Sequence, residues 1–166
     1  KSTIMGVTKS YNLEYGQKIY PILFFDLSGG EDYKSTVQHF FNHAKIALLV
    51  FSIDDRDSFK EIDEWVTRID EKLNIKIPEN QDFTSLILVG TKSDLEENRQ
   101  ITEDEAKEKA QSLGPSVNYI EVSSCIDKNI DKLKSELGKL ASTANIPIVP
   151  IKNTTNNEEN HKSGCC

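Results

Sequence analysis

The sequence is short of cysteine, of basic charge and of long apolar runs. Three cysteines occur in 166 residues: Cys125, Cys165 and Cys166. That is too few for a disulfide framework, and the terminal two are adjacent, a poor geometry for bridging each other. No metal-ligand spacing surrounds them, so a reducing, intracellular compartment is expected. Acidic residues outnumber basic ones, 27 to 20, for a net charge of −7. A general nucleic-acid binder shows the opposite balance, so nucleic acid is not an expected partner. No apolar run is long enough to span a bilayer, no signal peptide is visible, and no segment repeats. The chain opens on Lys1 rather than methionine, and reads as processed or as a fragment.

What is present suits one domain with a real core. "VTKSYNLE" (7–14), the turn signal Tyr15-Gly16-Gln17 and "KIYPILFF" (18–25) read as a hairpin. Pro21 has no N–H to give a ladder, so it marks where pairing on one side stops. Val37, Phe40, Phe41 and Ala44 are spaced for a short helix. "IALLVFSI" (46–53) and "SLILVG" (85–90) are continuous apolar runs of the kind that form buried parallel strands. A stripe from Phe59 to Leu73 predicts a helix, and residues 74–82 a loop. Thr102 with Glu105 forms a capping box for a helix that Gly114-Pro115 ends. "VNYIEV" (117–122) is a strand, and Ile126, Ile130, Leu133, Leu137 and Leu140 predict a last helix. Strands alternating with helices imply an α/β fold, with a mostly parallel sheet covered on both faces. The pattern ends near residue 142. Residues 1–141 therefore read as the folded domain, and the Asn-, Thr- and Ser-rich stretch 142–166 as a flexible tail.

Open parallel sheets bind ligands beyond the carboxyl ends of their strands. Three apolar strands here end in polar residues: Asp26, then Thr91-Lys92-Ser93-Asp94, then Ser123-Ser124. A carboxylate accepts two parallel donors well, and guanine presents two adjacent N–H groups on one edge. Asp94 can therefore read guanine, with the Lys92 stem along the base; the same segment reads equally as a turn in which Asp94 caps something local. The turn after "EVSS" can offer a backbone N–H to a carbonyl oxygen, or be a plain strand exit. Asp26 can hold Mg²⁺ through water, and the Gly29 N–H can meet a terminal phosphate.

Taken together, order and spacing resemble the Ras-like small GTPases, and the Rab branch most closely. "DLSGGE" (26–31) resembles the family's DTAGQE, "TKSD" (91–94) its NKxD, "EVSSC" (121–125) its ETSAK, and "STIMGV" (2–7) its switch segment. The likeness runs from residue 1 to about 141. It implies a Ras-like G domain, three layers around a mostly parallel mixed sheet. It also implies GTP/GDP binding with Mg²⁺: Thr91, Lys92, Asp94, Ser123, Ser124 and Cys125 at the guanine, Gly29 at the γ-phosphate, Thr3 and Asp26 at the metal. The final Cys165-Cys166 resembles a doubly prenylated Rab terminus, and two lipid chains anchor stably where one does not. A coil from 142 to 164 has a span of roughly 25–30 Å. The resemblance implies a monomer on the cytoplasmic face of an endomembrane or the plasma membrane, with a cytosolic pool. Effectors would bind the switch regions. An exchange factor, a GTPase-activating protein, a prenyl-delivery escort and a dissociation inhibitor would be its regulators.

The sequence also departs from the family. No phosphate cradle, G-x-x-x-x-G-K-[ST], precedes Thr3, so the first strand and first helix are expected to be missing. That strand lies between the one ending at Asp26 and the one at 46–53, and its loss would leave two open edges. Gly30 stands where the family has the glutamine that orients the attacking water, so slow hydrolysis is expected. Cys125 stands at the lysine of SAK. The alternatives are a pseudo-GTPase binding module, a non-functional fragment without nucleotide, or an unrelated doubly wound enzyme.

Overall fold

The computed structural model describes residues 7–27, 44–73, 85–144 and 149–150. Strands β1 (Val7–Tyr15) and β2 (Lys18–Asp26) pair antiparallel, from Val7 opposite Asp26 to Tyr15 opposite Lys18. Their two-residue turn places Gly16 at φ +56° and Gln17 at +60°, the left-handed pair that matches the twist of a tight hairpin. Leu13 and Tyr20, directly opposite each other, are both buried. On its other side β2 pairs with β6 (Val149–Pro150) at Lys18 and Ile19. That pairing is described at Lys18 and Ile19 alone; residues 145–148, just before β6, lie outside the described residues, so the expectation at Pro21 is untested. β6 falls within the stretch whose composition reads as tail.

Strands β3 (Ile46–Ser52), β4 (Ser85–Thr91) and β5 (Asn118–Glu121) form a parallel sheet in that order. Helices α1 (Arg56–Leu73), α2 (Glu103–Leu113) and α3 (Ile130–Thr143) complete the described elements. β4 is buried on both faces, which is why its sequence is continuously apolar rather than alternating. Leu86 and Leu88 join Phe59, Ile62 and Ile69 of α1 and Ala106 and Ala110 of α2. Ile87 and Val89 join Leu137 and Ala141 of α3, with Leu13 and Tyr20 of the hairpin. The result is the expected three-layer α/β fold. Each fully buried Ile or Leu contributes roughly 1.5–3 kcal/mol.

Among the described residues the strands form two three-stranded sheets, β1-β2-β6 and β3-β4-β5, with no ladder between β2 and β3, the place where the resemblance puts the strand expected to be missing. Two expectations change. The capping box is half formed: the Thr102 hydroxyl accepts from the Glu105 N–H at 3.2 Å, but the Glu105 carboxylate pairs with Arg56 of α1. Ile126 shares the apolar period of α3 yet precedes it, 59% exposed in the turn before Asn129. The helix expected around Val37–Ala44 lies outside the described residues except for its last position.

Helix α3 crosses β1 at Gly138. A Cβ there would lie 2.5 Å from Tyr15 Cβ and Cγ. The contact is at the root of the tyrosine, so rotating the ring cannot relieve it. Gly138→Ala is expected to destabilise the protein by about 1–3 kcal/mol. Urea unfolding should show a lower midpoint with an unchanged m-value.

Candidate functional site at the strand ends

The carboxyl ends of β3, β4 and β5 are tied together by main-chain hydrogen bonds. Ile53 N donates to Thr91 O (3.1 Å), Val122 N to Gly90 O (2.8 Å) and Ser93 N to Val122 O (3.1 Å). The Thr91 hydroxyl donates to Phe51 O at 2.8 Å. Lys92 follows with φ +58°, a left-handed conformation that costs a lysine on the order of 1 kcal/mol and turns the chain sharply. Asp94 then stands exposed at the edge. One of its carboxylate oxygens accepts from the hydroxyl of Ser123, which is fully buried. The same Ser123 oxygen accepts from Cys125 N at 3.2 Å and Ile126 N at 3.4 Å. Paired main-chain bonds between Ser123 and Lys128 close the turn, and Asn129 Nδ2 donates to Glu121 O at 2.8 Å.

This places the sequence-derived residues in two groups. Thr91, Lys92 and Asp94 meet Ser123, Ser124 and Cys125 at one edge through the Asp94–Ser123 and Ser93–Val122 bonds. Within that group the roles separate. The hydroxyls of Thr91 and Ser123 point inward to protein partners and shape the loops, while Lys92, Asp94, Ser124 and Cys125 are exposed. Asp26 is exposed at the end of β2, in the other sheet. A strand-end carboxylate is a hard oxygen donor of the type Mg²⁺ takes, so the residue fits that ion. Thr3, Gly29, Gly30, Cys165 and Cys166 lie outside the described residues.

The sequence reading missed a supporting layer. Arg99 forks onto Glu121, with Nη1 to Oε1 and Nη2 to Oε2 both at 2.9 Å, and also pairs with Glu96 at 2.7 Å. Tyr119 Oη donates to Glu121 Oε1 at 2.7 Å. Burial works against charge on Glu121, but the Arg99 and Tyr119 hydrogen bonds outweigh it and hold the carboxyl below its ordinary range. Burial, with the neighbouring carboxylate, pushes the Tyr119 phenol up. A second missed pair is Asp54, just past β3, with Lys92. A strand ending in Ser52-Ile53-Asp54 carried the same polar-ending signal as the other three.

Parallel strands whose polar ends converge on one edge, flanked by helices on both faces, define a doubly wound α/β ligand-binding domain. The Ras family profile matches residues 1–143, and the chain belongs to the Ras family. Mouse Ras-related protein Ral-B is 33% identical over 144 residues, covering 85% of this chain and 66% of that protein. The Ras-related protein O-RAL of Diplobatis ommata matches to the same extent. Ras-related protein RABA6b of Arabidopsis thaliana is 31% identical over 165 residues, 98% of this chain and 67% of that protein. The chain thus spans just under two thirds of the length of Ral-B.

The Glu121 carboxylate has a testable linkage. Its folded-state pKa is lowered, so its contribution is present above the ordinary value of 4.5 and is lost as pH falls through the folded value. Glu121→Gln is expected to cost roughly 1–3 kcal/mol at neutral pH. In unfolding curves the gap from the parent should narrow as pH drops below 4.5.

Proposed function

We propose that the chain is part of a Rab-branch small GTPase, a GTP/GDP-dependent, membrane-tethered switch in vesicle trafficking. The observation that carries guanine recognition is Asp94: an exposed carboxylate, oriented by a buried hydroxyl, beside the turn Ser124-Cys125 on the same edge. In this reading Asp94 accepts the two N–H groups of guanine, and the turn after Ser123 offers backbone N–H to the base oxygen. Lys92 covers the base with its stem. Gly29 meets the γ-phosphate. Asp26 and Thr3 hold Mg²⁺, which supplies charge neutralisation at the phosphates. The segments at 1–8 and 27–36 take one arrangement with GTP and another with GDP, and effectors distinguish them. An exchange factor and a GTPase-activating protein set the balance.

The Rab assignment is supported by the RABA6b likeness, which extends over 98% of the chain and so into the tail. Cys165 and Cys166 are the proposed prenyl sites, served by an escort and a dissociation inhibitor. They would place the protein on the cytoplasmic face of a membrane with a cytosolic pool. We also read the chain as continuing upstream through a phosphate cradle. The split of the strands into two sheets between β2 and β3 supports a further strand in that position. A second reading, a pseudo-GTPase acting as a binding module, is favoured by Gly30, which cannot orient water.

Two measurements on the product of the complete transcript test these readings. Asp94→Asn should lose GTP and gain xanthosine triphosphate in a nucleotide-binding assay, since the amide reverses one donor–acceptor pair. Indifference to the substitution would support the binding module. Gly30→Gln should raise single-turnover GTP hydrolysis at least about tenfold, because the restored side chain orients the attacking water. An unchanged rate would remove Gly30 as the cause of slow turnover.

A further inference from the structure

Lys92 and Asp54 come from different strand ends, 38 residues apart in sequence. Lys92 Nζ lies 3.2 Å from Asp54 Oδ1 and 3.5 Å from Oδ2. Asp54 is itself fixed. Its Oδ1 accepts from the hydroxyl of Ser52, and Ser52 N donates to Ser58 Oγ at 3.0 Å. The residue between them, Ile53, is fully buried, with its N–H on Thr91 O and its carbonyl accepting from Gln100 N (2.8 Å) and Ile101 N (3.2 Å). The carboxylate therefore stands on a backbone with no freedom to follow the lysine. The Ser52 hydroxyl lowers its pKa most, burial opposes, and Lys92 lowers it further.

The lysine side of the pair is 55% exposed, the aspartate 21%. An ion pair so open to water contributes little to folding stability. What it does is remove rotamer freedom from a long side chain, freedom that is otherwise lost at the moment of binding. Lys92 is two residues from Asp94, on the loop whose left-handed turn already fixes where its side chain starts.

We propose that Asp54 is a positioning residue for ligand binding at this edge: it holds the Lys92 ammonium, so that the lysine stem is ordered before the nucleobase arrives. The inference rests on the guanine-nucleotide reading above. Ser52 orients Asp54, Asp54 orients Lys92, and the base meets a prearranged wall.

The test uses the product of the complete transcript. GDP binding by the parent is measured first. Asp54→Ala should then release GDP roughly two- to fivefold faster, with an unchanged urea midpoint. In a Lys92→Ala background the same change should have no further effect, because Asp54 acts through the lysine. In nucleotide-free protein, mass-spectrometric acetylation of Lys92 should be faster in Asp54→Ala than in the parent. Equal release rates, equal acceleration in the Lys92→Ala background, or unchanged Lys92 acetylation each overturn the proposal. A parent that binds no guanine nucleotide overturns the guanine reading and the positioning role with it, whatever the acetylation rates.

Discussion

The burial of β4 on both faces is the constraint from which the rest of the structure follows. A strand sealed between two helical layers must satisfy every backbone group through its neighbours, so its register with β3 and β5 is fixed. That register sets Ser52 level with Thr91 and Gly90 level with Glu121. The polar loops then leave the sheet at one height. Gly90 shows how tight the arrangement is. A Cβ there would lie 2.6 Å from the Tyr119 hydroxyl and 3.3 Å from Phe51 and Ile53. The missing side chain lets Tyr119 lean across β4 and stack near Phe51, with ring centroids 6.1 Å apart. From there its hydroxyl reaches Glu121. The electrostatics at the end of β5 thus depend on an atom that is absent from β4.

The site is built in layers of polar groups that hold one another. Buried and half-buried groups do most of the orienting: Ser123 holds Asp94, and Arg99 and Tyr119 hold Glu121, while the exposed Asn129 holds the Glu121 carbonyl. Exposed groups are left to meet a ligand. This division suits recognition by a small number of directional hydrogen bonds, because donors and acceptors fixed in advance lose little entropy on binding. It also reconciles the chain's acidity with the anionic ligand proposed for it. Charge at the edge is locally paired, as in Lys92 with Asp54 and Arg99 with Glu96 and Glu121, so the net charge of the molecule says little about the site.

Much of this was legible in the sequence. The continuous apolar run at 85–90 marked the doubly buried strand, and Gly16-Gln17 marked the hairpin. Strand-end polarity located Thr91–Asp94 and Ser123-Ser124 because those residues close or soon follow their strands, while Cys125 came from the family resemblance. What escaped was non-local. Arg99 and Glu121 are 22 residues apart, Arg56 and Glu105 are 49 apart, and neither pair leaves a period or spacing in the chain. Glu105 completed a capping box on paper, but the charged partner on α1 outcompeted the backbone N–H at the cap. Ile126 continued an apolar period past its physical end, because a period cannot show where Asn129 takes the left-handed conformation that starts α3. Asp54 was hidden by its neighbours: an apolar run draws attention to its core, and the polar residues closing it read as a turn.

The two sheets raise a final structural point. Among the described strands β2 and β3 share no ladder, so the hairpin is held to the parallel sheet by side-chain packing. Leu13 and Tyr20 enter the same cluster as Ile87, Val89 and Ile120, and α3 closes that cluster from outside. Packing of this kind is less directional than a strand ladder, since apolar contact fixes area rather than register. Register is restored by close approach. Gly138 lets α3 sit directly on Tyr15, at the turn end of β1, and that contact is too tight to slide. Asp26 lies at the opposite end of the hairpin from Tyr15, and the partly buried Ile22 and Phe24 of β2 pack on the same cluster as Ile46 and Leu48 of β3. The apolar face of β2 therefore ties the hairpin to the parallel sheet along its length, and the Gly138 contact pins its turn end.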